Sequence, residues 1–184
     1  MIQSLAVFCG SKNGNNKIFS EHAAQLGELL PKYNITLIYG GGGNGIMKTL
    51  ADHVMKKGGT VIGVIPKILM EWEHQHKSIS KLIVTEDIHS RKKIMYSMCD
   101  AALALPGGFG TLDELFEMLT WNQLSIHDKK IFIMNSGGFF DHLAQHIASL
   151  EKNGFLYEPA EKRINYFNAP SEFEVYLNNQ NPKL

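Results

Sequence analysis

Short runs of almost continuous apolar residues recur along the chain and alternate with stretches of helical spacing. The runs are LAVFCG (5–10), ITLIYGG (35–41), TVIGVIP (60–66), KLIVTED (81–87), AALALPG (101–107), KIFIMN (130–135) and RINYFN (163–168). A strand that is apolar on both sides must be covered on both faces, which is the condition of a parallel sheet; a strand with one face in water alternates instead. Helical patterns occupy 17–33, 45–57, 90–99, 111–126, 139–153 and 171–179. This alternation predicts a doubly wound, Rossmann-like α/β fold of about seven parallel strands with helices on both faces. Ligands of such folds sit at the carboxyl ends of the strands. The segment KILMEWEHQHKSIS (67–80) fits neither pattern and reads as a lid or an excursion, and NNQNPKL at the C-terminus reads as a frayed end.

The 184 residues suit one domain over 1–184 with a sizeable core. Lys plus Arg and Asp plus Glu both number 18, so there is no basic field for a nucleic acid polymer or an anionic membrane. The two cysteines, Cys9 and Cys99, flank apolar runs and read as buried thiols in a reducing compartment. SLAVFCG has no basic region before it and no small-residue cleavage pattern after it, so it reads as a first strand rather than a signal peptide, and the cytoplasm is the expected location.

Two glycine-rich turns join a strand to a helix. In YGGGGNGIMKT, Gly40, Gly42 and Gly45 satisfy G-x-G-x-x-G, yet the next strand ends VIPK with no acid for a ribose. A phosphate P-loop fails as well, because Ile46 and Met47 separate the last glycine from Lys48 and Thr49. A tight turn that lets helix and strand approach stands equally with a binding role. In LPGGFGTLDELFE, Gly107, Gly108 and Gly110 leave backbone N–H groups uncovered, Thr111 adds a hydroxyl, and a helix beginning there offers its positive end to an anion. Thr111 and Glu114 also form T-x-x-E, a capping box, and spacing alone favours that cap.

A second anomaly supports the anion. In HSRKKIM, Arg91, Lys92 and Lys93 crowd a helix start, where cations oppose the macrodipole by a few tenths of a kcal/mol each. An anionic ligand would reverse that penalty. Two such turns on one sheet point to a single phosphate-bearing substrate.

These stretches, with VFCGS, GVIPKIL and the continuation TWNQLSIHDKKIFIMN, resemble the LONELY GUY family of cytokinin riboside 5′-monophosphate phosphoribohydrolases, whose members have often been labelled lysine decarboxylases. The resemblance thins after about residue 156. It implies hydrolysis, without a cofactor or a metal, of the N-glycosidic bond of an adenine-type nucleoside 5′-monophosphate. It implies Arg91 and Glu114 as the catalytic pair, and a phosphate loop through Gly107, Gly108, Phe109, Gly110, Thr111, Leu112 and Asp113, with Lys92 nearby. It also places Glu73 and Thr120 around the substrate, with Ser11, Gly42, Gly43 and Met95 completing the binding set. The chain departs from the family pattern at Asp113, usually Glu, and at Ser90, commonly Glu or Gln; both lie outside the catalytic pair and bear on base preference.

A carboxylate suits this chemistry because glycosidic cleavage develops positive charge on the ribose. A nucleotide-binding module without chemistry is the rival class, and Glu114 separates the two, since a carboxylate beside a phosphate repels it. The eight histidines show no metal-ligand spacing, HQH (74–76) reads as a solvated loop, and no pattern marks a Schiff-base lysine. The helix 111–126 is apolar well beyond one stripe, which predicts burial against a second copy, at least a dimer.

Overall fold

The computed structural model describes residues 1–70 and 74–180. All seven apolar runs form strands: β1 (Ser4–Phe8), β2 (Thr36–Tyr39), β3 (Val61–Pro66), β4 (Lys81–Thr85), β5 (Ala101–Ala104), β6 (Lys130–Met134) and β7 (Ile164–Phe167). They pair in parallel as one sheet in the order β4-β3-β2-β1-β5-β6-β7. The chain starts in the middle, steps outward to β4, returns to the other side of β1, and steps outward again. That reversal lies between β1 and β5, paired in register Val7 with Leu103 and Phe8 with Ala104. It opens the crevice in which open α/β sheets bind ligands.

The helices are α1 (Lys17–Lys32), α2 (Gly45–Lys56), α3 (Lys67–Met70), α4 (Ile88–Met98), α5 (Phe109–Gln123), α6 (Asp141–Lys152) and α7 (Pro170–Gln180). One face of the sheet buries α1, α2 and α7 around Leu26, Leu30, Leu50, Val54 and Phe173. The other buries α4, α5 and α6 around Met95, Tyr96, Leu115, Met118 and Ile147. Every residue of β5 is buried, as a strand covered on both faces requires.

Three helix starts differ from the sequence expectation by two residues, those of α4, α5 and α6, and the first two bear on the site. Helix α4 begins at Ile88 because the Asp87 carboxylate caps it, accepting the Ser90 N–H at 2.7 Å. Arg91 is therefore the fourth helical residue, and the three cations stand in the second turn, beyond the strongest part of the dipole. Helix α5 begins at Phe109 with Gly108 at its N-cap and no side-chain cap. Thr111 is thus already inside the helix, and the capping box does not form.

The excursion after β3 starts as the short α3. Its later part is tied across the first glycine turn, where Gly43 N–H donates to the His74 carbonyl at 2.7 Å and His76 N–H to the Gly41 carbonyl at 3.0 Å. Of the tail expected to fray, Asn178, Asn179 and Gln180 continue α7; 181–184 lie outside the described residues.

Candidate active site

Helices α4 and α5 lie side by side on one face of the sheet and exchange charge across their contact. Arg91 Nη2 donates to Glu114 Oε1 at 3.0 Å, with the two residues 8% and 7% exposed. One residue on, Lys92 is also buried, and its ammonium lies 3.0 Å from Asp113 Oδ2 and 3.1 Å from Glu117 Oε2. Asp113 and Glu117 are four apart and share a face of α5, so one lysine spans both. Burial pulls the Lys92 ammonium down, but its hydrogen bonds to Asp113 and Glu117 and their charges outweigh that, and its pKa is raised. Tyr96, one turn beyond Lys92, donates its hydroxyl to the Glu114 carbonyl at 3.2 Å, and burial together with the nearby carboxylates pushes its pKa far up.

Burying ion pairs is a poor way to gain stability, because desolvation offsets most of the attraction. The Arg91–Glu114 pair, buried on both sides, therefore points to chemistry. Arg91 Nε is a further buried donor with no acceptor among the described residues.

The second glycine turn stands one helical turn away from Glu114 along α5. With no side chain capping the helix, the amides of Phe109, Gly110 and Thr111 have no intrahelical acceptor. Gly107 must be glycine for the protein's own sake, since a Cβ there would overlap the Thr111 hydroxyl and stand 2.8 Å from Gly10 N. Gly108 and Gly110 are different. A Cβ at either would meet nothing within 4 Å, and neither has a left-handed φ. A glycine in a helix costs up to about 1 kcal/mol relative to alanine, and nothing in the fold requires one at 110. The space beside these amides is open to an anion, as at other helix N-termini that hold phosphate.

The turn borders a cleft of about 320 Å³ at the β1/β5 reversal, lined by Ser11, Lys12, Phe19, Ile46, Gly108 and Phe139 among others. Lys12 is an exposed cation beside the anion turn that sequence reasoning missed. Its place four residues past β1, in the loop at the strand's carboxyl end, was the available signal, since that is where β1 meets the crevice.

The other expected residues are placed as follows. Arg91, Lys92, Asp113 and Glu114 come together, and Gly107, Gly108, Gly110, Thr111 and Ser11 surround the turn. Phe109 is 93% exposed at the first position of α5. Leu112 is half-buried against the core, and Thr120 is exposed, its hydroxyl donating to the Phe116 carbonyl at 2.7 Å. Gly42 bridges to Gln75, and Gly43 spends its amide on His74, so both serve the excursion. Met95 is fully buried in the core on the face of the sheet that carries α4 and α5. Glu73 lies outside the described residues. Among the described residues no three His, Cys, Asp or Glu side chains are grouped to hold a metal ion, and no helix is long and apolar enough to cross a membrane.

Residues 47–176 match a family model described as possible lysine decarboxylase. The chain is 41% identical over 171 residues to the cytokinin riboside 5′-monophosphate phosphoribohydrolase LOG1 of Arabidopsis thaliana, covering 93% of this chain and 79% of that protein. It is 42% identical over 171 residues to a probable enzyme of the same name, LOGL1, of Oryza sativa subsp. japonica, covering 93% and 76%. Among solved structures, a Moco carrier protein from Chlamydomonas reinhardtii superposes with a TM-score of 0.74 at 18% identity over 100% of both chains. A molybdenum cofactor binding protein from Rippkaea orientalis gives 0.72 at 20% identity over 98% of both. At those identities the likeness is one of fold.

Proposed function

The chain belongs to the family of cytokinin riboside 5′-monophosphate phosphoribohydrolases, and from that premise we propose that it hydrolyses the N-glycosidic bond of adenine-type nucleoside 5′-monophosphates to free base and ribose 5-phosphate. The observation that carries the reading is the buried Arg91–Glu114 pair standing one helical turn from a helix N-terminus that has no side-chain cap and open space beside Gly108 and Gly110. Four residues separate Gly110 from Glu114, a rise of about 6 Å, comparable to the reach from a 5′-phosphate to the anomeric carbon. A phosphate held on the Gly108–Thr111 amides therefore brings that carbon toward the Glu114 carboxylate.

In this mechanism the bond between the anomeric carbon and the base nitrogen breaks with its electron pair going to the base. Glu114 stabilises the oxocarbenium-like charge on the ribose and orients a water, whose hydroxyl joins the anomeric carbon and whose proton ends on the base. Arg91 holds Glu114 in place and offers its remaining N–H groups to the substrate. Lys92, engaged by two carboxylates and with a raised pKa, is a poor Schiff-base nucleophile.

We further read the exposed apolar edge of α5 as a homodimer contact. Phe116, Leu124 and Ile126 are exposed on α5 or just past it, and Phe116, Phe155 and Tyr157 line a groove of about 270 Å³. Thr120 lines that groove. Sedimentation at micromolar concentration is expected to give at least twice 20.6 kDa; a species of 20.6 kDa would overturn the dimer. The buried thiols of Cys9 and Cys99 suit a reducing cytoplasm.

The test of function is a panel of nucleoside 5′-monophosphates and their nucleosides, in EDTA, assayed for free base and ribose 5-phosphate. AMP or an N6-substituted AMP is expected to be cleaved and the matching nucleoside not. Cleavage of adenosine as fast as AMP, loss of activity in EDTA, or binding without base release would contradict the reading.

A further inference from the structure

Gly40 follows β2 directly and is buried. A Cβ at this position would overlap Arg91 Nη2 outright, and would stand 3.1 Å from Arg91 Cζ and 3.2 Å from Met47 Sδ. The backbone does not demand glycine here: Gly41 and Gly45 have φ of +78° and +60°, whereas φ of Gly40 lies outside the left-handed region. What Gly40 supplies is space, and the group that fills it is the Arg91 guanidinium. The nitrogen that would be struck is the same one that donates to Glu114 Oε1 at 3.0 Å. A thioether such as that of Met47 can swing aside through its rotatable bonds. The guanidinium is enclosed between the β2 turn on one side and Glu114 on the other, with its residue 8% exposed, so it yields only by leaving the Glu114 carboxylate.

We propose that Gly40 is a positioning residue for the reaction: its bare Cα is the seat against which the Arg91 guanidinium lies, at the position that aligns Nη2 with Glu114. This rests on the reading of Arg91 and Glu114 as the reacting pair. The first glycine turn then acts on catalysis without touching the nucleotide. A methyl group at 40 pushes the guanidinium off the Glu114 carboxylate, while the anion turn on α5 keeps its geometry.

The experiment is a double-mutant cycle of Gly40→Ala and Arg91→Lys, read by steady-state release of base from AMP and by thermal melting. Gly40→Ala is expected to lower kcat at least about tenfold while KM for AMP changes less than about threefold, because misplacement affects the reacting end and spares the phosphate end. Lysine lacks the Nη2 branch, so on the Arg91→Lys background Gly40→Ala should add little further loss in kcat or melting temperature. Multiplicative losses, the signature of independent sites, would overturn the proposal, as would a wild-type kcat in Gly40→Ala. If Gly40→Ala alone fails to fold, recovery of folding in the double variant supports the seat, and failure of both overturns it. Should Arg91→Lys alone keep wild-type kcat, the assignment of Arg91 to the reaction falls, and the melting cycle still decides whether Gly40 seats its side chain.

Discussion

The two glycine-rich turns follow β2 and β5, each opens a helix, and a Cβ test separates them. In the first, side chains are excluded by the protein itself: Gly40 by Arg91, Gly43 by the carbonyl of His74, Gly41 by its φ of +78°, and Gly45 by both its φ of +60° and the Ser11–Lys12 backbone. In the second, Gly107 is excluded by Thr111 and Gly10, but Gly108 and Gly110 face open space with ordinary φ. A glycine that the fold needs and a glycine that the fold merely tolerates look alike in sequence. The second kind, at a helix N-terminus with uncovered amides, marks where a ligand's backbone contact belongs.

The largest expected effect lies beside the second turn. Glutamine at 114 keeps an oxygen for Arg91 and removes only the negative charge, so base release from AMP should fall by roughly 10²–10³, in line with removal of other preorganised electrostatic groups. AMP affinity should hold or tighten, because a carboxylate no longer faces the phosphate end. Near-normal turnover by Glu114→Gln would make the buried pair structural and dissolve the contrast between the turns.

At Gly45, where a Cβ would meet the Ser11–Lys12 backbone rather than Arg91, a substitution in the first turn should act on folding alone. Gly45→Ala meets left-handed strain together with backbone atoms of Ser11 and Lys12, and should cost about 2–4 kcal/mol in denaturant unfolding. Stability within about 0.5 kcal/mol of wild type would mean that the first turn is as open as the second.

Much of this was legible in the sequence, for reasons specific to each element. The seven strands declared themselves because strands covered on both faces are apolar without interruption, as AALALPG and KIFIMN are. The helix starts were off because Thr111 and Ser90 are residue types that often cap, while the actual caps are Gly108, which offers no side chain, and Asp87, which had been read as the end of a strand. The Arg91–Glu114 pair joins residues 23 apart on different helices, and no spacing rule reaches that far; only the family resemblance named it. The role of Gly40 requires knowing where the Arg91 fork lands.

The smallest expected effect comes from outside both turns and serves as a control. His22 is buried, its Nδ1 lying 2.8 Å from the Ser136 hydroxyl. Burial holds the imidazole below its ordinary 6.5, with the charge of Glu21 pulling partly back. The unfolded chain therefore binds more protons than the folded one between the depressed and the ordinary value, so stability present above 6.5 is lost as pH falls through the folded value. Wild type should lose stability from pH 7 to pH 5, and His22→Gln should lose less over that interval with unchanged turnover. An equal loss in both would remove His22 from the acid response.

The contrast between the turns is tested most directly by Gly110→Ala, measured for melting temperature and for AMP binding on the same preparation. Alanine is the better helix former and has free space at this position, so the melting temperature should rise by a few degrees, for about 0.5–1 kcal/mol. The methyl group should also crowd the amides that receive the phosphate, and AMP affinity should fall by about tenfold or more, on the order of 1.4 kcal/mol. A variant that is stabilised yet binds and cleaves AMP like wild type would show that the open glycines of the second turn were not kept for the nucleotide.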